Sequence, residues 1–225
     1  MNYMLDTHVH TDEVSRCGKV PARKLVNLYK EAGYDGIVIT DHYYQGFFAA
    51  MSARDWSRKI DAFLAGYQEA LDQGGRIGLD VFLGVELRFT EHENDYLVYG
   101  IELDFLLDHP CLYDLGLQRF RELIRNREIL LYQAHPFRVG MVPAPPSLLD
   151  GVEVFNGNPR HDSQNPRALQ FARENGLKMI SGSDFHQTED LAGGGIVLKE
   201  RVRSGPELVK LLKTGQVVEY LGVRA

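Results

Sequence analysis

Asp6, His8 and His10 stand two residues apart near the start of the chain, and on an extended strand that spacing turns all three side chains to one face. Two imidazoles on one face form a chelate for a metal ion. An isolated His-x-His pair is commonplace on surfaces and in cores, so its meaning depends on its company. His42 ends the run Ile37, Val38, Ile39, Thr40, Asp41, Glu86 closes the apolar stretch 81–85, His135 follows 130–134, and Asp184 and His186 follow 179–183. Four further apolar runs thus deliver a metal-capable side chain at or near their ends. Imidazoles mixed with carboxylates suit zinc, manganese or iron better than calcium or magnesium. A carboxylate such as Glu86 can bridge two ions, and two ions can hold a hydroxide while neutralising phosphoryl oxygens.

Such groups meet only if the elements carrying them are arranged in a ring. Short apolar runs alternate with amphipathic stretches, as when parallel strands are covered by helices. Strands are predicted over 3–10, 36–41, 81–87, 96–101, 129–134, 152–155, 178–183 and 216–220. Pro21 opens a helix with Leu25, Leu28 and Ala32 on one face, and Gly33 closes it. Trp56, Ile60, Phe63, Leu64, Tyr67 and Leu71 recur at helical spacing, predicting one long helix from Ala53 to Leu71 that ends at Gly74 and Gly75. Helices are also predicted over 117–125 and 166–174. Ser204 and Glu207, at capping-box spacing, begin a last one carrying Leu208, Leu211 and Leu212. The polar turn 90–95 suggests a hairpin that interrupts the parallel order. Seven or so strands with intervening helices imply a closed or nearly closed α/β barrel, which places functional groups at strand C-terminal ends. At 225 residues, residues 1–225 are expected to form one domain.

The motifs Asp6-x-His8-x-His10, Thr40-Asp41-His42, Gly84-x-Glu86, Ala134-His135-Pro136 and Ser183-Asp184-x-His186 resemble those of the PHP family, the polymerase and histidinol phosphatase domain, in the family's order. The resemblance implies a distorted (β/α)7 barrel with two or three divalent ions at the strand ends, and phosphoesterase activity. It places one ion on His8, His10, Glu86 and Asp184, a second on His42 and His186, and a third on Glu86 and His135. Glu86 and His135 are the catalytic candidates, with the proton for the leaving oxygen coming from His135 or from a metal-bound water. Family members often supply one more ligand to the second ion shortly after the first motif. Cys17 is the strong ligand type there, with Asp12 and Glu13 as competitors. Where three-metal members carry a histidine in the strand after the bridging glutamate, this chain has Leu97, which cannot bind a metal; His92 stands nearby on the predicted turn.

Arg88, two residues past Glu86, would share its face and clamp a substrate phosphate, or else form a surface ion pair. Arg16 and Arg138 are phosphate candidates on loops. Asp6, deeper on its strand than His8, is expected to orient an imidazole, and Asn156 to hydrogen-bond a ligand or the substrate, or to form a turn. Tyr43, Tyr44, Phe47 and Phe48 wall the site or simply pack. His109 and His161 lack strand-end context. Cys111 is read as a buried apolar residue.

The net charge of −6 is spread along the chain, which offers no basic stripe for nucleic acid and no acidic tail. Two cysteines make no disulfide framework, and with neither a leader nor a long apolar stretch the expected location is the cytoplasm. The expected function is phosphomonoester hydrolysis of the histidinol-phosphatase type, on a small phosphorylated substrate or a phosphoprotein, by hydroxide attack on phosphorus. A metal-dependent amidohydrolase and a non-catalytic metal-binding regulatory domain are the alternatives.

Overall fold

Along β-forming runs alternate side chains take opposite faces, and here both faces are apolar. Ile37 and Ile39 pack outward with Leu25, Val26 and Ala70, while Val38 joins an inner cluster with Leu97, Tyr99 and Tyr132. Burial on both faces is what a helix-covered barrel demands. Residues 2–51 and 54–223 are described, in a computed structural model. The chain runs β1 (Tyr3–Val9), α1 (Ala22–Glu31), β2 (Gly36–Ile39), β3 (His42–Tyr43), α2 (Gln45–Ala49), α3 (Trp56–Phe63), α4 (Ala65–Ile77), β4 (Asp80–Arg88), β5 (Asp95–Tyr99) and α5 (Leu103–Asp108). It continues α6 (Gly116–Ile124), β6 (Leu130–Gln133), β7 (Gly151–Asn156), α7 (Asn165–Asn175), β8 (Lys178–Gly182), β9 (Gly195–Leu198), α8 (Gly205–Thr214) and β10 (Val217–Leu221).

The sheet order is β10-β9-β1-β2-β4-β5-β6-β7-β8, with β3 extending β2's path along β4. Seven of these strands, β1-β2-β4-β5-β6-β7-β8, form the distorted barrel. All are parallel except β5, which is antiparallel to both neighbours, so the hairpin expected around 90–95 is present. Closure between β8 and β1 uses one bridge, Val9 to Phe185, rather than a ladder. His10 N donates to Phe185 O at 3.0 Å, and Thr7 Oγ1 donates to Ser181 O at 2.9 Å across the same seam. The barrel is nearly closed, and its looser seam carries His10, Asp184 and His186.

Three expectations need correction. The single long helix is two, α3 and α4, because the backbone at Leu64 (φ −86°, ψ 1°) leaves the helical region. α3 starts at the Asp55 cap, which accepts from Arg58 N, and Ala53 lies outside the described residues. α4 runs past Gly74 and Gly75 to Gly78, which closes it in the left-handed conformation. The run 36–41 splits after Ile39, so that Thr40 and Asp41 can turn their side chains to the segment after β1. Ser204 caps α8 by accepting from Glu207 N, but the Glu207 carboxylate accepts from Arg203 N instead of completing a capping box. The sequence reading also missed α2, α5 and β9, all short. No helix among the described residues is long and apolar enough to cross a membrane.

The kink at Leu64 brings α4 against the barrel mouth. A Cβ on Gly66 would collide with the Thr11 side chain and approach Asp41 Oδ2 to 3.1 Å. Gly66→Ala is therefore expected to destabilise by about 1–3 kcal/mol through overpacking, despite alanine's better helix propensity. A thermal or denaturant melt measures this, and an unchanged or raised midpoint contradicts it.

Candidate metal centre

β1 carries His8 into the barrel mouth, and His10 follows just past the strand end; both are fully buried. His8 Nδ1 lies 2.8 Å from Glu153 Oε1, and an ionised carboxylate only accepts, so that nitrogen bears the hydrogen. Ser15 Oγ gives its proton to Asp41 Oδ1 at 2.7 Å and therefore accepts from His10 Nδ1 at 3.2 Å. In the neutral rings both Nε2 atoms then present lone pairs, and they face each other across 3.0 Å. Glu86 Oε1 is 3.2 Å from His8 Nε2, and Glu86 Oε2 is 3.4 Å from His10 Nε2. Asp184 Oδ1 is 3.5 Å from both. Two lone pairs and two carboxylates pressed together away from water repel unless a cation lies among them. The donors, two imidazoles and two carboxylates, fit a divalent transition metal.

Without metal, protons take that place. Burial opposes charge on His8, but Glu153, Asp184 and Glu86 outweigh it and hold its pKa well above the ordinary value. On His42 burial is likewise overcome, chiefly by Glu86. His10, pushed down by burial and by His186 and His42, stays neutral. Burial raises the carboxyl pKa of Glu86 and Asp184, yet the histidines pull both well below the usual range. The raised histidines stabilise the metal-free fold below about pH 6.5, a contribution lost as pH rises through their folded values. The depressed carboxylates contribute above about pH 4, and their contribution is lost as pH falls through their folded values. His186, beside Asp184, is raised as well, and metal must displace these histidine protons, so binding at pH 7 is expected to release about two to three protons and to tighten as pH rises. Calorimetry in buffers of differing ionisation enthalpy counts them; release of none contradicts this charge state.

A second group adjoins the first. Ligand atoms of His10, His42 and His186 lie within 4.8 Å of one another, as do those of His42, Glu86 and Asp95. His186 donates from Nδ1 to the Asp184 carbonyl at 2.8 Å, which leaves Nε2 free. His42 Nδ1 sits 2.6 Å from Glu86 Oε2, while His135 Nε2 is 3.2 Å from Glu86 Oε1. Glu86 thus faces His8 and His135 with one oxygen and His10 and His42 with the other. His135 Nδ1 is buried without a hydrogen-bond partner, and Glu86 Oε2 has only the ion-pair contact with His42 and the approach of His10; a bound ion would relieve the orphaned nitrogen. His135 (φ 29°) and Asp184 (φ 54°) both adopt left-handed backbone, strain held by the surrounding hydrogen bonds.

These spacings match a known pattern over most of the chain: the PHP domain model covers residues 6–190. The chain belongs to the PHP domain family. Solved structures share its fold at low identity. One is a two-domain protein from Bacteroides vulgatus described as containing a predicted PHP-like metal-dependent phosphoesterase, at 18% identity and TM-score 0.66. The match covers 96% of this chain and only 64% of that one. PsfC from Pseudomonas syringae matches at 19% identity and TM-score 0.62, over 93% of this chain and 87% of its own. An amidohydrolase from Chromobacterium violaceum, with bound sulfate and no metal, matches at 16% identity and TM-score 0.53, over 92% and 96%. No curated protein sequence matches this one.

Within this PHP domain several side chains take places the sequence did not foresee. Asp6 does not orient an imidazole. Its Oδ1 accepts from His8 N and Ser183 N, and its Oδ2 from Tyr29 OH, tying the backbones of β1 and the segment after β8 together. Burial pushes its carboxyl up to about 6 despite those bonds. Glu153 is the imidazole-orienting carboxylate: besides His8 it accepts from His135 N at 3.0 Å and Asn156 Nδ2 at 2.9 Å. The signal was a lone carboxylate within the apolar run 152–155 of a barrel strand. Asn156 completes this network, and its Oδ1 accepts from Arg138 at 2.9 Å. Arg138 also donates to Asp184 Oδ2 at 2.7 Å and does not line the cavity beside the cluster.

Arg88 is gripped by Asp95 through two bonds of 2.7 Å and, with Arg16, Cys17, His42 and Tyr44, lines a cavity of about 320 Å³ beside the cluster. Leu97 stands opposite Glu86 on β5 and is fully buried in the inner apolar cluster. Exposed His92 does not take its place, since its Nδ1 accepts from Asn94 N on the turn. Asp95, two residues before Leu97 and on the same face, brings a carboxylate near Glu86 that the sequence reading passed over. Cys111 is half-buried, with its sulfur accepting from Tyr113 OH. Tyr43 and Phe48 pack with Phe63 and Tyr113 rather than lining the cavity; Tyr44 alone of that aromatic group reaches it.

Proposed function

We propose that this PHP domain hydrolyses a phosphomonoester, with His8, His10, Glu86 and Asp184 holding one divalent ion and His42 and His186 a second. Support comes from the facing Nε2 lone pairs, enclosed by carboxylates, next to a cavity that carries two arginines. Bound cations would supply Lewis-acid polarisation of the phosphoryl group and activation of water. Glu86 is the carboxylate shared by both groups of donors. Arg88, fixed by Asp95, and Arg16 at the rim bind phosphoryl oxygens, and the Tyr44 ring flanks the leaving group. Asp184 is kept in register by Arg138. His135 hands the proton to the leaving oxygen, and its strained backbone sets the ring's aim. Whether a third ion binds at Glu86 and His135 turns on Leu97, which favours two. Two free cysteines suit a reducing cytoplasm, and a small phosphorylated metabolite such as histidinol phosphate, or a phosphoprotein, fits better than nucleic acid.

Purified protein is expected to hydrolyse an aryl phosphate, to lose this with a chelator and to regain it with manganese or zinc. A parallel amide panel tests the rival reading that the Chromobacterium violaceum amidohydrolase raises, and turnover there alone would favour that rival. Metal retained without turnover on either panel would favour a regulatory domain. Arg88→Met is expected to raise KM about 10- to 100-fold, the worth of one charged hydrogen bond. An unchanged KM places the phosphate elsewhere.

A further inference from the structure

β4 and β5 pair with Glu86 opposite Leu97 and Arg88 opposite Asp95. Residues two apart on a strand, and residues directly opposite on its partner, share a face, so these four side chains all turn to the side of the metal centre. The inner pair gives Glu86 no second donor. Leu97 is fully buried among Val38, Tyr99, Tyr132 and Ala134, and a third ion on Glu86 and His135 would lack a ligand there. The outer pair carries charge instead. Asp95 is 2% exposed, and one of its oxygens lies within 4.8 Å of donor atoms of both Glu86 and His42. Its backbone carbonyl accepts at 3.0 Å from the N–H of Ala134, the residue before His135. Two buried carboxylates this close each need positive charge beside them. Glu86 has its histidines, and Asp95 has Arg88, whose Nε and Nη2 donate to its two oxygens at 2.7 Å each. Both oxygens of Asp95 are thereby taken, while Arg88 keeps further N–H groups for the cavity that it lines beside His42 and Tyr44.

We infer that the Arg88 guanidinium, clamped on Asp95, stands in for a third divalent ion: the centre holds two ions and one permanent protein cation, and Asp95 is a latent metal ligand that Arg88 blocks. This inference rests on the metal-centre reading above. A guanidinium stays protonated throughout the working range of pH, and no chelator removes it, so positive charge persists at this edge of the centre whether or not metal is bound. Taking it away strands a buried carboxylate beside Glu86, a state relieved by uptake of a cation. With Glu86 and His42 already within reach of Asp95, a divalent ion has three donors there.

Equilibrium dialysis of the metal-free protein against saturating manganese at mildly alkaline pH, followed by elemental analysis, counts ions per chain independently of turnover. The native chain is expected to hold two ions, and Arg88→Met three. Arg88→Lys should stay at two because it keeps a cation at Asp95. Arg88→Met combined with Asp95→Asn should return to two, because the charge that draws the extra ion is gone. A purely structural role for the pair would not raise the count in any variant. Any native count other than two, no gain in Arg88→Met, or a gain that survives Asp95→Asn would overturn the exchange of ion for guanidinium. The native count decides this even where Arg88→Met does not fold. Three ions on the native chain would leave the metal centre standing, whereas a native chain that takes up no ion would overturn the metal centre as well.

Discussion

Glu86→Gln is expected to lower kcat/KM by about 10³-fold or more, corresponding to about 4 kcal/mol, and to strip metal from both groups of donors. One oxygen of Glu86 faces His8 and His135 and the other faces His10 and His42, so among the described residues no other side chain touches as many of the candidate ligands. Glutamine keeps the shape and loses the charge, and its amide nitrogen would point a donor where a cation belongs. In the metal-free state the change also removes the partner that holds His42 protonated and one of those that hold His8. The variant should therefore lose its alkaline-side dependence of stability first. Elemental analysis and steady-state kinetics on the same preparation measure both effects. Near-normal activity with full metal content would deny Glu86 its shared role.

The second large effect is expected from Glu153, which touches no substrate and acts through its neighbours. Its Oε1 fixes the His8 ring through Nδ1, and its Oε2 holds the His135 backbone at a left-handed position and anchors Asn156. Removing an outer partner of a metal-binding histidine typically costs 10–100-fold in affinity or activity. Because two rings depend on this carboxylate, Glu153→Ala is expected at the upper end, about 10²-fold in metal affinity, with kcat restored in part by excess metal. Glu153→Gln should cost less, since its amide oxygen can still accept from Nδ1. A loss of kcat that no amount of metal restores would mean Glu153 acts on the reaction itself. A related steric test lies at Gly182, where a Cβ would strike the His8 Cβ. Gly182→Ala should displace that ring and weaken the same ion.

How much of this could be read beforehand follows from which forces are local. Strand spacing alone puts His8 and His10 on one side, and the ends of apolar runs carry His42, Glu86, His135 and Asp184, so the convergence of these six was legible. The antiparallel β5 was legible too, because a short polar turn allows only a hairpin. The tertiary hydrogen bonds were not. Asp6 and Glu153 are both lone carboxylates in apolar strands, and nothing local distinguishes the one that ties backbones from the one that aims a ring. Arg138 and Arg88 looked alike as phosphate binders, yet Arg138 is engaged by Asp184 while Arg88 opens to a cavity. The break between α3 and α4 was hidden because Leu64 keeps the helical apolar spacing even where its backbone leaves the helix. α2 and α5, at five and six residues, are too short for periodicity to register.

The central claim is that side chains from five separate strands share cations at the barrel mouth. Anomalous diffraction from crystals grown with zinc or manganese tests it most directly. A peak is expected at about 2.0–2.2 Å from Nε2 of both His8 and His10 and against Glu86 and Asp184, with a second beside His42 and His186. Metal-saturated crystals with no anomalous density between His8 and His10, or with their ions bound on another face of the molecule, would contradict it.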